Sequence, residues 1–178
     1  MSYEVKTRAL ILRRYPFQEN RWIVRLHTEQ EGTLSVMTSR KKGLAALPGA
    51  LVRVNLRLRP QREIQRLTEM EWDTVYKRFF HEPAHTAYLL LVVEWLQQTL
   101  HAPDPQLFDW IRHELIQLDL SSEPLPRIQA FLVGLLRRLG GERLPATLSL
   151  AEIEKAYQAF LPNWKPIRSL DLATFARL

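Results

Sequence analysis

A small closed β-barrel followed by an α-helical domain is the fold class this sequence predicts, and three observations predict it. Apolar residues alternate at short strand-like spacing up to Trp72 and change to helical spacing after Pro83. The excess of basic charge is confined to the first part of the chain: residues 1–80 hold 16 Lys and Arg against 8 Asp and Glu, whereas residues 81–178 hold 9 against 11. Cysteine is absent from the 178 residues, which removes disulfides, thiolate zinc sites and cysteine nucleophiles from consideration.

Five segments rich in Val, Ile, Leu, Thr and aromatics read as strands: Val5 to Tyr15, Asn20 to Thr28, Thr33 to Ser39, Ala50 to Arg59 and Ile64 to Trp72. The fourth is the clearest, because Ala50, Val52, Val54, Leu56 and Leu58 alternate with Leu51, Arg53, Asn55, Arg57 and Arg59. One face is therefore buried and the other carries arginine. Five short strands must hide their edges, and closure into an OB-like barrel does so most economically. An SH3-like barrel or an open sheet fits the same strand count.

Helical spacing begins at Pro83. Ala84, Ala87, Tyr88, Leu91, Val92, Trp95 and Leu96 recur at i, i+3 and i+4, and Leu89, Leu90 and Val93 make that helix apolar nearly all round, as at a domain centre. Asp104 caps a second helix with Pro105 at its first position and Leu107, Phe108, Ile111, Leu115 and Leu118 facing inward. A third runs from Pro126 to Leu139, is striped by Ile128, Phe131, Leu132, Leu135 and Leu139, and stops at Gly140-Gly141. Ser149 with Glu152 forms a capping box for a fourth, which should bury Leu150, Ile153, Tyr157 and Phe160, and a short helix is expected within Pro162 to Leu178. The expected domains are 1–77, a nucleic-acid-binding barrel, and 78–178, a helical domain.

The charge asymmetry points to a polyanion, with nucleic acid ahead of acidic lipid because the arginines lie on strands and no basic amphipathic helix is present. Arg40-Lys41-Lys42-Gly43 follows the third strand and should form a loop mouth where cations meet phosphates. Arg13 and Arg14 end the first strand, and Tyr15 and Phe17 lie in the loop before Arg21 and Arg25. Cations interleaved with aromatics suit single-stranded nucleic acid, whose phosphates attract charge and whose unstacked bases attract flat apolar faces. Arg53, Arg57 and Arg59 would extend the track along the fourth strand; in the opposing reading Tyr15, Phe17 and Trp22 fill the barrel and the cations are only solvated.

Other readings compete. His81-Glu82-Pro83-Ala84-His85 matches the H-E-x-x-H pattern of zinc hydrolases, but Pro83 belongs in a helix's first turn, which leaves His81 outside the helix and parts the imidazoles. Glu69, Glu71 and Asp73 alternate as in metal-dependent nucleases, and also as acidic residues do when they protect a sheet edge. No phosphate-binding glycine loop, G-x-G-x-x-G, nucleophile elbow or Ser/His/Asp set is present. These absences favour a chain with no catalytic residues, metal or cofactor. In the helical half, Arg137 and Arg138 complement a helix C-terminus or, with Arg127, line a pocket for an acidic-aromatic peptide. A barrel that binds protein rather than DNA is a further alternative. No apolar run spans a bilayer, and Met1-Ser2-Tyr3-Glu4-Val5-Lys6 lacks a secretory signal, so the expected location is the cytoplasm.

Lys6-Thr7-Arg8-Ala9-Leu10-Ile11-Leu12, Glu19-Asn20-Arg21-Trp22-Ile23-Val24 and Leu26-His27-Thr28-Glu29-Gln30-Glu31-Gly32-Thr33-Leu34-Ser35 follow one another in an order that, over residues 4 to 75, resembles the RecO family of recombination mediators in bacterial DNA repair. The resemblance continues in Arg40-Lys41-Lys42-Gly43 and in Arg62-Glu63-Ile64-Gln65-Arg66-Leu67-Thr68-Glu69, and is weaker at Phe131 to Gly140 and Arg168-Ser169-Leu170. The resemblance implies an OB-fold that binds single- and double-stranded DNA, and a non-enzymatic role in annealing strands coated by single-strand-binding protein and in helping RecR load RecA. It also implies docking of the acidic C-terminal tail of single-strand-binding protein on the helical domain, carried here to Arg127, Arg137 and Arg138. Many relatives hold zinc with cysteines, which this chain lacks, and the chain is shorter than is usual for the family.

Overall fold

The computed structural model describes residues 1–145 and 147–167. Five strands come first, β1 (Tyr3–Gln18), β2 (Arg21–Thr28), β3 (Gly32–Ser39), β4 (Leu51–Leu58) and β5 (Ile64–Trp72), with a short helix α1 (Arg40–Ala45) between β3 and β4. Four helices follow, α2 (Pro83–Thr99), α3 (Pro105–Leu120), α4 (Pro124–Arg138) and α5 (Leu150–Phe160). The strands close in the order β1-β2-β3-β5-β4, antiparallel throughout except for a short parallel contact of β3 with β5. This is the expected OB-like barrel.

Closure needs one long strand. The first part of β1 pairs with β4 and the second with β2, and a bulge between Ile11 and Arg13 lets it turn from one partner to the other. The extra residue explains why Ile11 and Leu12 are both buried and Arg13 is exposed. Val24, Leu26, Val36, Val54 and Leu56 fill the barrel, as their alternation predicts. Leu51 is buried too, on the face the alternation assigns to arginine.

The chain divides into two compact units, and the division is not a single cut near residue 77. Met1–Val75 is joined by Thr99–Arg112 in the first, while Tyr76–Gln98 and the chain from His113 onward form the second. Backbone pairing explains the recruited segment. The Thr33 amide donates to the His101 carbonyl at 2.9 Å and the Thr33 hydroxyl to the Leu100 carbonyl at 2.8 Å, along the stretch of β3 where no pairing with β5 occurs. Gly32 adopts φ +74°, and a Cβ there would stand 2.8 Å from the Pro103 nitrogen, so this approach requires glycine. His27 is buried beside this recruited segment, stacked on Phe108 with Nδ1 2.9 Å from the Thr33 hydroxyl oxygen. Since that hydroxyl donates to Leu100, Nδ1 carries the imidazole proton and Nε2 is left buried with no partner among the described residues. Burial, assisted by His101, pushes the imidazole down to about 4, with Asp104 opposing.

In the second unit, Trp95 of α2 is fully buried with ring centroids 5.5 Å from Tyr157 and 5.4 Å from Trp164. The Tyr157 hydroxyl donates to the Leu132 carbonyl at 2.7 Å, and burial pushes its phenol up. Asp119 is buried and accepts the amides of Lys77, Arg78 and Phe79 at 2.7, 2.9 and 2.8 Å, which fastens the segment before α2. The capping box of α5 forms, and its bonds with Ser149 hold the Glu152 carboxyl below its usual range. Three details differ from expectation. α4 starts at Pro124, because its first turn needs no amide donors and so accommodates both Pro124 and Pro126. Ala84 and Phe160 are exposed, lying in the first turn of α2 and at the last residue of α5. The expected terminal helix and Arg168-Ser169-Leu170 lie outside the described residues.

Candidate nucleic-acid interface

Arg40, Lys41 and Lys42 stand on α1, not on a loop. Ser39 caps this helix by accepting the Lys42 amide, and the Arg14 guanidinium closes the other end by donating to the carbonyls of Gly43, at 3.1 Å, and Leu44. Arg14 also lies over the Trp22 ring, 5.6 Å from its centroid. A Cβ on Gly43 would stand 2.6 Å from Trp22 Cγ, so glycine is what allows α1 to seat there. Arg14 thus holds α1 in place, and Arg40 and Lys41 remain exposed.

A groove of about 540 Å³ opens between the β1–β2 turn, the end of β3, α1 and the β4–β5 turn. Six cations line it, Arg21, Lys42, Arg57, Arg59, Arg62 and Arg66, and among the described residues no carboxylate does. Lys42 donates to the Thr68 carbonyl, and Arg57 pairs with Glu4 at 3.0 Å. Arg59, Arg62 and Arg66 have no acidic partner among the described residues. Arg62 and Arg66 carry no strand-face pattern that singles them out in the sequence, and the only local signal was the density of arginine around Pro60.

Strand register ties the groove to the aromatic residues. One row of positions runs from Tyr15 to Ile23, Met37, Arg66 and Arg57, alternating with the interior residues Val24, Val36, Leu67 and Leu56; within it Ile23 is buried. The neighbouring row begins with Arg13 directly opposite Arg25. Arg13–Arg25 and Arg57–Arg66 are like charges paired across strands, an arrangement that repels unless an anion lies between them. Arg13 lies 5.8 Å from the Tyr15 ring centroid. Tyr15 and Phe17 are 41% and 49% exposed, so they do not fill the barrel, and they belong to β1 rather than to a loop. Trp22 is partly buried against α1.

The remaining residues lie apart from the groove. Arg53 and Arg112 both bind Asp73, at 2.9 and 3.0 Å, and the Asp73 side chain is 3% exposed. Arg8 bridges Glu29 and Asp109, each at 2.7 Å, and Glu29 is the main reason its pKa rises. Arg8 and Arg53 line a second cavity of about 590 Å³ with Glu29, Glu69 and Glu71. In the second unit Arg127 pairs with Glu114 at 3.6 Å in the first turn of α4, while Arg137 and Arg138 occupy its last turn, about 15 Å further along the axis. His81 is exposed before α2, whereas His85 is buried with Nε2 3.0 Å from the Ser121 carbonyl oxygen. Among the described residues no three His, Asp or Glu side chains gather as metal ligands would, and no helix is long and apolar enough to cross a membrane.

Residues 1–76, the barrel with its strands and turns, match the family model described as recombination protein O N terminal. The barrel is similar to the N-terminal domain of RecO proteins. That likeness, confined to residues 1–76, supports a general role in recombination and repair. No curated protein matches the chain.

Proposed function

We propose that this RecO-type barrel binds DNA across the outward rows of β1, β2, β3 and β5, with phosphates in the groove and bases on Tyr15 and Phe17. The observation that carries the reading is a groove with six cations and, among the described residues, no carboxylate. OB-folds commonly bind oligonucleotides on strands 2 and 3 and on the loops between strands 1 and 2 and between strands 4 and 5. Arg21, Arg59, Arg62 and Arg66 contact phosphates, Arg13 and Arg25 hold the strand beside the aromatics, and Arg40 and Lys41 extend the track along α1. Arg14, Lys42 and Arg53 serve the barrel itself. Single strands use the whole track, and duplexes use its phosphate-binding part.

Holding two strands beside one another at reduced repulsion supports annealing, and with it a mediator role that assists RecA loading together with RecR in the cytoplasm. Arg127, Arg137 and Arg138 offer cations to the acidic tail of single-strand-binding protein from the two ends of α4. A fluorescent oligodeoxythymidylate titrated across a salt series tests the central claim. With about four phosphates neutralised, log K against log salt should fall with a slope of about −3. Absence of binding at low salt by folded protein would sink the reading and favour a barrel that binds protein.

A further inference from the structure

The turn that carries two of the groove's arginines is fastened by a single side chain. Gln65 of β5 accepts the Arg59 amide at 2.6 Å through Oε1, and donates through Nε2 to the Arg59 carbonyl at 3.1 Å and to the Arg62 carbonyl. The Arg62 amide donates to the same Arg59 carbonyl at 3.0 Å, closing a four-residue turn with Pro60 at its second position, where a fixed φ suits the bend. Both backbone groups of Arg59 are thereby satisfied, although β4 ends at Leu58 and no strand lies there to pair with them. The amide orientation is unambiguous, because its oxygen faces a donor and its nitrogen two acceptors.

Arginine side chains on a free turn would have to be ordered each time a phosphate backbone is bound, at a cost in entropy. We infer that Gln65 is a positioning residue of the DNA interface: its amide holds the Arg59–Arg62 turn in its binding conformation, so that the two guanidinium groups meet phosphates at a set spacing. Gln65 itself touches no DNA. The role rests on the groove being the DNA-binding site, and it adds a requirement that the groove's charge alone does not impose.

Gln65→Met keeps the length and the neutral charge of the side chain and removes all three bonds; Gln65→Ala is a second variant should the first disturb packing. Hydrogen exchange reads the clamp without DNA: the Arg59 amide should exchange about tenfold faster in either variant, as loss of about one net hydrogen bond implies. Titration of oligodeoxythymidylate should show affinity about fivefold weaker than in the unaltered chain. A cycle with the double substitution Arg59→Ala and Arg62→Ala should show that these changes cost less when Gln65 is already replaced, while Arg13→Ala costs the same in both backgrounds. Unchanged exchange at Arg59, unchanged affinity, or full additivity with the turn arginines would overturn the role. Failure of the unaltered chain to bind the oligonucleotide would instead overturn the groove reading and Gln65's part in it, with the exchange result still deciding whether the clamp exists.

Discussion

Two walls of the same barrel carry arginine, and they use it in opposite ways. On the wall formed by the start of β1 with β4 and the end of β5, Arg8 and Arg53 are tied to Glu29, Asp109 and Asp73. Around the groove, Arg59, Arg62 and Arg66 have no acidic partner among the described residues, and Arg66 faces Arg57 across the strands. The first arrangement spends its charge on holding the unit together, since Asp109 and Arg112 come from the recruited α3 segment. The second leaves charge for a ligand. What separates a structural arginine from a binding one is therefore its partner, not its residue type or its exposure: Arg53 is 64% exposed and is still committed to Asp73.

Breaking the groove should have the largest effect. Replacing Arg59, Arg62 and Arg66 together by Ala removes three charge-assisted contacts, and oligonucleotide affinity at low salt should drop about a thousandfold with a salt slope shallower by about 2. The same replacement at Arg8 and Arg53 should leave affinity within about threefold and lower stability in urea unfolding instead. If both sets reduced binding equally, the contrast between the walls would be lost.

A change of pH separates the two properties without mutation. His27 takes up its proton near pH 4 in the fold against 6.5 for an ordinary histidine, so between those values the unfolded chain binds protons that the folded chain does not. Stability should be constant in this respect above pH 6.5 and fall by about 3 kcal/mol as the pH is lowered to 4. His27→Gln should flatten that part of a pH series of urea melts. Arginine does not titrate in this range, so DNA affinity measured while the chain remains folded should not follow the same curve.

Asp73→Ala leaves Arg53 and Arg112 facing each other without their carboxylate and should cost about 2 kcal/mol in urea unfolding, less than a fully buried pair because both arginines reach solvent. The smallest effect is expected at Glu4, the acid that reaches toward the groove by pairing with Arg57. Glu4→Gln should raise oligonucleotide affinity about twofold and steepen the salt slope slightly, as an exposed pair predicts. A loss of affinity there would mean that Arg57 is held for structure, as Arg53 is.

Much of this organisation is legible in the residues alone. Strand alternation places Val52, Val54, Leu56 and Leu58 inside and Arg53 and Arg57 outside, and Ser149 with Glu152 marks the start of α5. Arg40-Lys41-Lys42 reads as a basic loop because it follows the third strand directly; Ser39, Arg14 and Trp22 overrule that reading from outside the segment. The recruitment of Thr99–Arg112 into the barrel unit has no local signal, since it depends on Thr33 and Gly32 meeting residues far along the chain. Nor does any run of letters distinguish Arg53 from Arg66.

By itself, then, the sequence determined the barrel's strands, the helices after Pro83, the surplus of positive charge in the first half and the family likeness, because each is a property of neighbouring residues and their period. Only the tertiary structure decided which cations are spoken for, that Gln65 closes the β4–β5 turn, and that Tyr15 and Phe17 stay at the surface. Strand pairing and bulges bring together groups far apart in the chain. A charge becomes free or committed through those neighbours, which spacing along the chain does not specify.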